Sequence, residues 1–114
     1  MRRREEELDM MAIVQDIAAR YPTRIQGRPS LGGRADIVVS KGSKKIVVEL
    51  KNRPISLLDI RRLLQSRQPR GAYRIIAVSR DAWASTSGSV FDYAERARIA
   101  ICDLNELPSV IDRL

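Results

Sequence analysis

Three residues in this sequence are of types that could do chemistry together: Asp36, Glu49 and Lys51. Glu49 and Lys51 lie two apart at the end of Lys45–Lys51, a stretch whose centre, Ile46-Val47-Val48, is β-branched and reads as a strand. Side chains alternate across a strand, so Val47, Glu49 and Lys51 share one face while Ile46, Val48 and Leu50 share the other. The apolar set is expected to face the core. Asp36 stands just before a similar run, Ile37-Val38-Val39, and Lys41-Gly42-Ser43-Lys44 between the two runs reads as a tight turn. Folded as a hairpin, the strands bring Asp36 opposite the stretch around Glu49 and Lys51. Acids are disfavoured inside strands, and functional sites tend to break such a local rule at paired positions.

Two carboxylates are hard oxygen ligands, able to hold one Mg²⁺ (or Mn²⁺) that keeps several waters and takes phosphate oxygens into its shell. The backbone carbonyl of Leu50, between Glu49 and Lys51, is a natural further ligand. A metal so held lowers the pKa of a bound water and stabilises charge on a phosphoryl group. Lys51 can orient or deprotonate that water, or neutralise the transition state. The plainer alternative is that Glu49 and Lys51 form a surface ion pair, since Glu-x-Lys at a strand end is common.

Composition narrows the competing designs. The chain has no histidine, which removes Ser-His-Asp and Cys-His hydrolysis and HExxH zinc sites. Cys102 is the only cysteine, so neither an internal disulfide nor a cysteine zinc cluster is available, and it is expected in the core. The net charge is +7, and a small domain this basic is commonly a nucleic-acid binder. The alternatives are an inert basic surface or affinity for anionic lipid. With 114 residues the chain is expected to make one domain, 1–114. No apolar run approaches the roughly 20 residues needed to span a bilayer, and the basic start lacks the apolar stretch of a secretory signal. A cytoplasmic protein without a membrane partner is expected.

The elements that must position the trio follow from periodicity. Residues 4–20 read as an amphipathic helix carrying Met10, Ile13, Val14, Ile17 and Tyr21, stopped by Pro22. Thr23 to Gln26 reads as a short strand, and Gly27 to Gly33 as a turn. The hairpin strands span Arg34–Ser40 and Lys45–Lys51. Ser56 is a candidate N-cap, with Asp59 as the capping-box acid, for a helix from Leu57 to about Arg67. Its apolar face would be Leu57, Ile60, Leu63 and Leu64, with Arg61, Arg62 and Gln65 largely off it. Tyr73–Ser79 reads as a central strand, Ser85–Ser89 as a polar loop, Val90–Arg98 as a helix, Ile99–Cys102 as a short strand and Asn105–Arg113 as a last helix. The order α-β-β-β-α-β-α-β-α implies one mixed α/β domain, its central sheet flanked by helices.

At this point the residues resemble a known family. Arg34-Ala35-Asp36-Ile37-Val38-Val39 looks like the acidic motif, and Val48-Glu49-Leu50-Lys51 like the E-x-K motif, of the PD-(D/E)xK, or restriction-endonuclease-like, nuclease superfamily. The α-β-β-β-α-β core order is similar too. Tyr93-Ala94-Glu95-Arg96-Ala97 and Ile101-Cys102-Asp103-Leu104 resemble the end of its Mrr-type branch, and archaeal Holliday-junction resolvases are a second similar group. Ala35 stands where the family name has proline. The resemblance implies a metal-dependent endonuclease acting on nucleic acid, most readily DNA, branched DNA included. Asp36, Glu49, the Leu50 carbonyl and an acid from the first helix would be the ligands. Glu7 is the favoured acid, with Glu6 as the alternative and a plain helix start as the bland one. Gln65 resembles a glutamine of some branches.

Arg28, Arg34, Lys44, Arg53, Arg61, Arg62, Arg67 and Arg70 lie near the trio in sequence and are candidates for gripping phosphates. Trp83 could stack on a base or pack down, and Ser85, Thr86 and Ser87 could meet phosphate or form a plain loop. A domain this small would be expected to act as a homodimer to cut two strands. The alternative function is a nucleic-acid-binding module of the same fold that does not cut, and a third is a basic scaffold with no nucleic-acid role.

Overall fold

Two β-branched runs on either side of Gly42 dictate the centre of this fold. Gly42 takes a left-handed conformation (φ +61°), which glycine adopts at no steric cost, and the chain reverses there. In the computed structural model, residues 2–25, 36–65 and 70–114 are described, with side chains from Met10 onward except that of Asp36. The hairpin strands are β2 (Asp36–Lys41) and β3 (Lys44–Lys51). Around them, in chain order, stand α1 (Arg2–Arg20), β1 (Thr23–Ile25), α2 (Leu57–Gln65), β4 (Tyr73–Val78), α3 (Arg80–Ala84), α4 (Gly88–Arg96), β5 (Ile99–Asp103), a 3₁₀ turn at Leu104–Glu106, and α5 (Leu107–Asp112).

All five strands form one mixed sheet in the order β1-β2-β3-β4-β5. The β1–β2 and β2–β3 pairs are antiparallel; β3–β4 and β4–β5 are parallel. Parallel neighbours require crossover connections, here α2 and then α3 with α4. Both crossovers step the same way along the sheet, and connections of one hand then lay their helices on one face. That face is packed by Val38, Val47, Ile76 and Val78 from the strands against Ile60, Leu63, Ala82, Val90 and Ala94. The opposite face, Ile37, Val39, Ile46, Val48, Leu50, Ile75 and Ala77, is covered by Met10, Val14 and Ile17 of α1 and Leu107 and Ile111 of α5.

Both faces of β3 are therefore interior. The sequence pattern assigns Val47, Glu49 and Lys51 to the non-core side, but Val47 is fully buried and the two charged residues are buried as well. The reason is positional: β3 is the third of five strands and is parallel to β4, so a crossover helix lies over its second face.

A second difference concerns α2. Its buried stripe is Asp59, Ile60 and Leu63, while Leu57 and Leu64 are 41% and 37% exposed. The helix is thus rotated by about 60° from the stripe its leucines define, at 3.6 residues per turn. The contacts of Asp59 described below set this rotation, and they lie beyond what apolar periodicity can register.

A third is the stretch after β4, where α3 forms and α4 begins at Gly88, inside the expected loop. Thr86 explains the local order. It is buried, its hydroxyl donates to the Ala82 carbonyl (2.9 Å), and its Oγ accepts the Ile55 N–H (3.2 Å). One side chain thus ties the loop after α3 to the segment leaving β3. Thr86→Val keeps the shape and leaves the buried Ile55 N–H unpaired. Urea unfolding should show a loss of about 1–3 kcal/mol, with Thr86→Ser losing clearly less. Equal stability of all three proteins would show the tie to be idle.

Candidate functional site

Three backbone relations bring the candidate residues together. First, Asp36 is the register partner of Glu49. Second, the Ser79 N–H donates to the Lys51 carbonyl (3.0 Å), so the backbone of Lys51, and by alternation that of Glu49, bonds toward β4. Third, the Ser40 N–H donates to the Pro22 carbonyl (2.8 Å), so the backbones of Ser40 and, by alternation, Asp36 bond away from β3. Asp36 and Glu49 consequently form a non-hydrogen-bonded antiparallel pair, the closer of the two kinds, with Cα atoms about 4.5 Å apart in such pairs. The same alternation turns the Leu50 carbonyl to the Asp36 side of β3. The hairpin thus has the register expected from sequence, and the Asp36 side chain itself lies outside the described residues.

The side chains of Glu49 and Lys51 are 1% and 8% exposed. Lys51 Nζ stands 3.8 Å from Glu49 Oε1 and 3.6 Å from Asp59 Oδ1. A buried ammonium is costly unless carboxylates flank it, and here two do. The surface ion pair weighed from sequence is therefore an interior cluster of three charged groups.

Asp59 is the residue the sequence undervalued. It does serve as a capping-box acid: the Ser56 N–H donates to Asp59 Oδ2 (2.9 Å), and the Asp59 N–H donates to Ser56 Oγ (3.3 Å). It also receives both arms of the Arg53 guanidinium, at 2.9 and 2.8 Å. Burial pushes the Asp59 carboxyl up, but the Arg53 guanidinium, the Ser56 N–H and the Lys51 ammonium together outweigh it and hold the group down at about 2. The sequence signals were its place in the capping box and its position beside Ile60, on the flank of the apolar stripe.

The cluster sits where the carboxyl ends of three parallel strands meet. Val78 pairs with both Lys51 and Asp103. Asp103 is buried, accepts the Asn105 N–H (2.9 Å), and lies 3.4 Å from Nε of Arg80, whose own side chain is 81% exposed. The Ser79 hydroxyl is buried with no hydrogen-bond partner among the described residues. Arg80 is thus a cation at this edge that sequence proximity to the trio did not reveal.

The other candidates divide sharply. Arg53 is engaged with Asp59 and is not a free phosphate contact. Lys44 lies at the hairpin turn, five residues and roughly 17 Å along the strand from Glu49, and its ammonium binds the Leu114 carbonyl. Arg61, Arg62 and Gln65 are exposed on α2 and are not drawn into the cluster. Arg28, Arg34 and Arg67 lie outside the described residues. Glu6 and Glu7 belong to α1, which packs on the opposite face of the sheet; their side chains lie outside the described residues. Trp83 is 42% exposed and meets Phe91 edge-on with ring centroids 5.7 Å apart. Cys102 is buried as expected, and burial, with Glu106 and Asp103 nearby, pushes its thiol up to about 12, which leaves it inert.

The donors suit a hard divalent ion in chemical type: the Glu49 carboxylate, the Leu50 carbonyl turned to the same side, and Asp36 across the pair. Among the described side chains no three acids, cysteines or histidines gather, so a complete ligand set depends on Asp36. Compared with known proteins, the chain matches no family model, no curated protein and no solved structure.

The depressed Asp59 carboxyl has a consequence for pH. Its unfolded value is near 3.8 and its folded value about 2, so its stabilisation is complete above about pH 4 and is lost as pH falls toward 2. Asp59→Asn should destabilise the protein by about 2 kcal/mol at neutral pH. Unfolding measured against pH should show the gap from wild type closing between pH 4 and 2. A gap that stays constant to pH 2 would exclude the ion cluster as its source.

Proposed function

We propose that this chain is a Mg²⁺-dependent (or Mn²⁺-dependent) endonuclease that hydrolyses phosphodiester bonds in nucleic acid, DNA first, with the restriction-endonuclease-like fold and PD-(D/E)xK chemistry that its motifs resemble. The observation that carries the reading is the register of Asp36 with Glu49, two residues from Lys51 at the end of a central strand. Asp36, Glu49 and the Leu50 carbonyl would hold the ion. When bound, the ion supplies Lewis-acid stabilisation of the phosphoryl group and lowers the pKa of a coordinated water.

The chain's own residues do the rest. Lys51, flanked by Glu49 and Asp59, would present its N–H donors to the attacking water or to a non-bridging phosphate oxygen. Asp59 is a positioning residue: it restrains the ammonium and is itself restrained by Arg53 and Ser56. Arg80, Arg61 and Arg62 are exposed and offer phosphate contacts away from the reacting atoms. A homodimer would supply a second centre for the second strand of a duplex. Among the described residues no helix is long and apolar enough to cross a membrane, in keeping with a partner reached from water.

One observation favours a second reading. Lys51 is ion-paired on both sides, an arrangement a purely structural charge cluster would also adopt, and a nucleic-acid-binding module of this fold that does not cut would keep it. The test is cleavage of branched, duplex and single-stranded DNA. Wild type should cut with Mg²⁺ or Mn²⁺ and stop in EDTA. Asp36→Ala, Glu49→Gln and Lys51→Met should each lower kcat by at least about 100-fold, with folding checked by thermal melting. Wild type and variants that are equally inert yet bind DNA would establish the module. Absence of salt-dependent DNA binding would leave only a basic scaffold.

A further inference from the structure

The face of the sheet that carries Glu49 continues beyond the cover of α2 into an open groove. Alternation places Asp36, Val38 and Ser40 of β2, and Lys45, Val47 and Glu49 of β3, on this one face. Arg24 of β1 joins them as the register partner of Val38. Pro22, Thr23, Arg24, Val38, Ser40 and Lys45 line a depression of about 420 Å³. Val38 is buried at its floor, and Arg24 and Lys45 are exposed at its sides.

Its chemistry is that of an anion site. Lys45 Nζ donates to Ser40 Oγ (2.7 Å), which occupies the acceptor side of that hydroxyl and leaves its proton, with the other two ammonium protons, to donate outward. Arg24 adds a planar fork of donors. Among the described residues neither Arg24 nor Lys45 is ion-paired, and among the described side chains no acid lines the groove. By contrast Arg20, Lys41, Lys44 and Arg53 are all spent on protein acceptors.

We infer that the groove lined by Arg24, Ser40 and Lys45 binds the sugar–phosphate backbone of a nucleic-acid strand whose continuation reaches Glu49 and Lys51. Charge complementarity selects the ligand class. The Ser40–Lys45 pair lies four residues from the Asp36–Glu49 pair, roughly 13 Å along the strands. The inference rests on the nuclease reading for the strand's destination, and on charge and groove geometry for its grip.

The test uses the full chain and a fluorescent DNA oligonucleotide, single-stranded and duplex, titrated in EDTA from 0.05 to 0.3 M salt, about the range over which counterion release is read. Arg24→Ala/Lys45→Ala should bind on the order of tenfold more weakly at about 0.1 M salt. Its slope of log affinity against log salt should be shallower by about 0.7–0.9 for each cation removed. Arg24→Lys/Lys45→Arg should restore most of the slope, and equal melting temperatures would exclude unfolding. With Mg²⁺ present, the alanine variant should show raised KM with kcat retained. If wild type cuts DNA and the alanine variant binds with unchanged affinity and slope, the groove is overturned and the nuclease stands. If wild type does not cut but the slope falls as stated, the nuclease reading fails and the groove stands. Salt-dependent binding to anionic phospholipid vesicles but not to DNA would overturn the groove's assignment.

Discussion

Burying a lysine ammonium costs several kcal/mol unless carboxylates stand close enough to offset it, and Lys51 is held between Glu49 and Asp59. Much of the surrounding structure serves that constraint. Asp59 must reach inward, so α2 rotates to bury it beside Ile60 and Leu63 and leaves Leu57 and Leu64 partly exposed. Arg53 closes over Asp59 from the segment leaving β3, and Ser56 caps α2 with the same carboxylate. Thr86 then anchors the preceding residue, Ile55, to the loop after α3. Charge balance at one lysine is thereby linked to the path of two connecting segments.

The sheet explains why this cluster is where it is. Parallel strands β3, β4 and β5 end together, and in open α/β sheets the carboxyl ends of such strands are where ligands bind. The antiparallel hairpin to β2 brings in Asp36 from the opposite direction. A mixed sheet therefore does what neither pure type does as simply: antiparallel register supplies a facing acid, and parallel crossovers supply α2 with its second acid.

The positive charge is divided between two roles. Part of it is structural: Lys41 and Lys44 bind carbonyls at the end of α5, and Arg20 holds Asp112. Part is outward-facing, as Arg24, Lys45, Arg61, Arg62 and Arg80 show. Net charge alone cannot separate the two, because a cation bonded to a backbone carbonyl counts the same as one facing solvent. Position in the fold does separate them.

Several features were legible in the sequence because they depend on local physics. Period-2 alternation and a glycine turn placed Asp36 across from Glu49, and helical spacing marked Met10, Val14 and Ile17 as core. The capping box at Ser56 was readable because its partners are three residues apart. Burial of Glu49 and Lys51 was not readable, since it depends on which strand is central and on where the crossover helix lies. Nor was the second role of Asp59, or the loss of Arg53 and Lys44 as free cations, since each depends on partners brought together only by folding. Sequence by itself thus determined the hairpin strands, their approximate register and the residue types at the candidate site. Tertiary structure alone decided that the site is a buried charge cluster with a third member, because burial and ion pairing are properties of packed layers and not of a single strand.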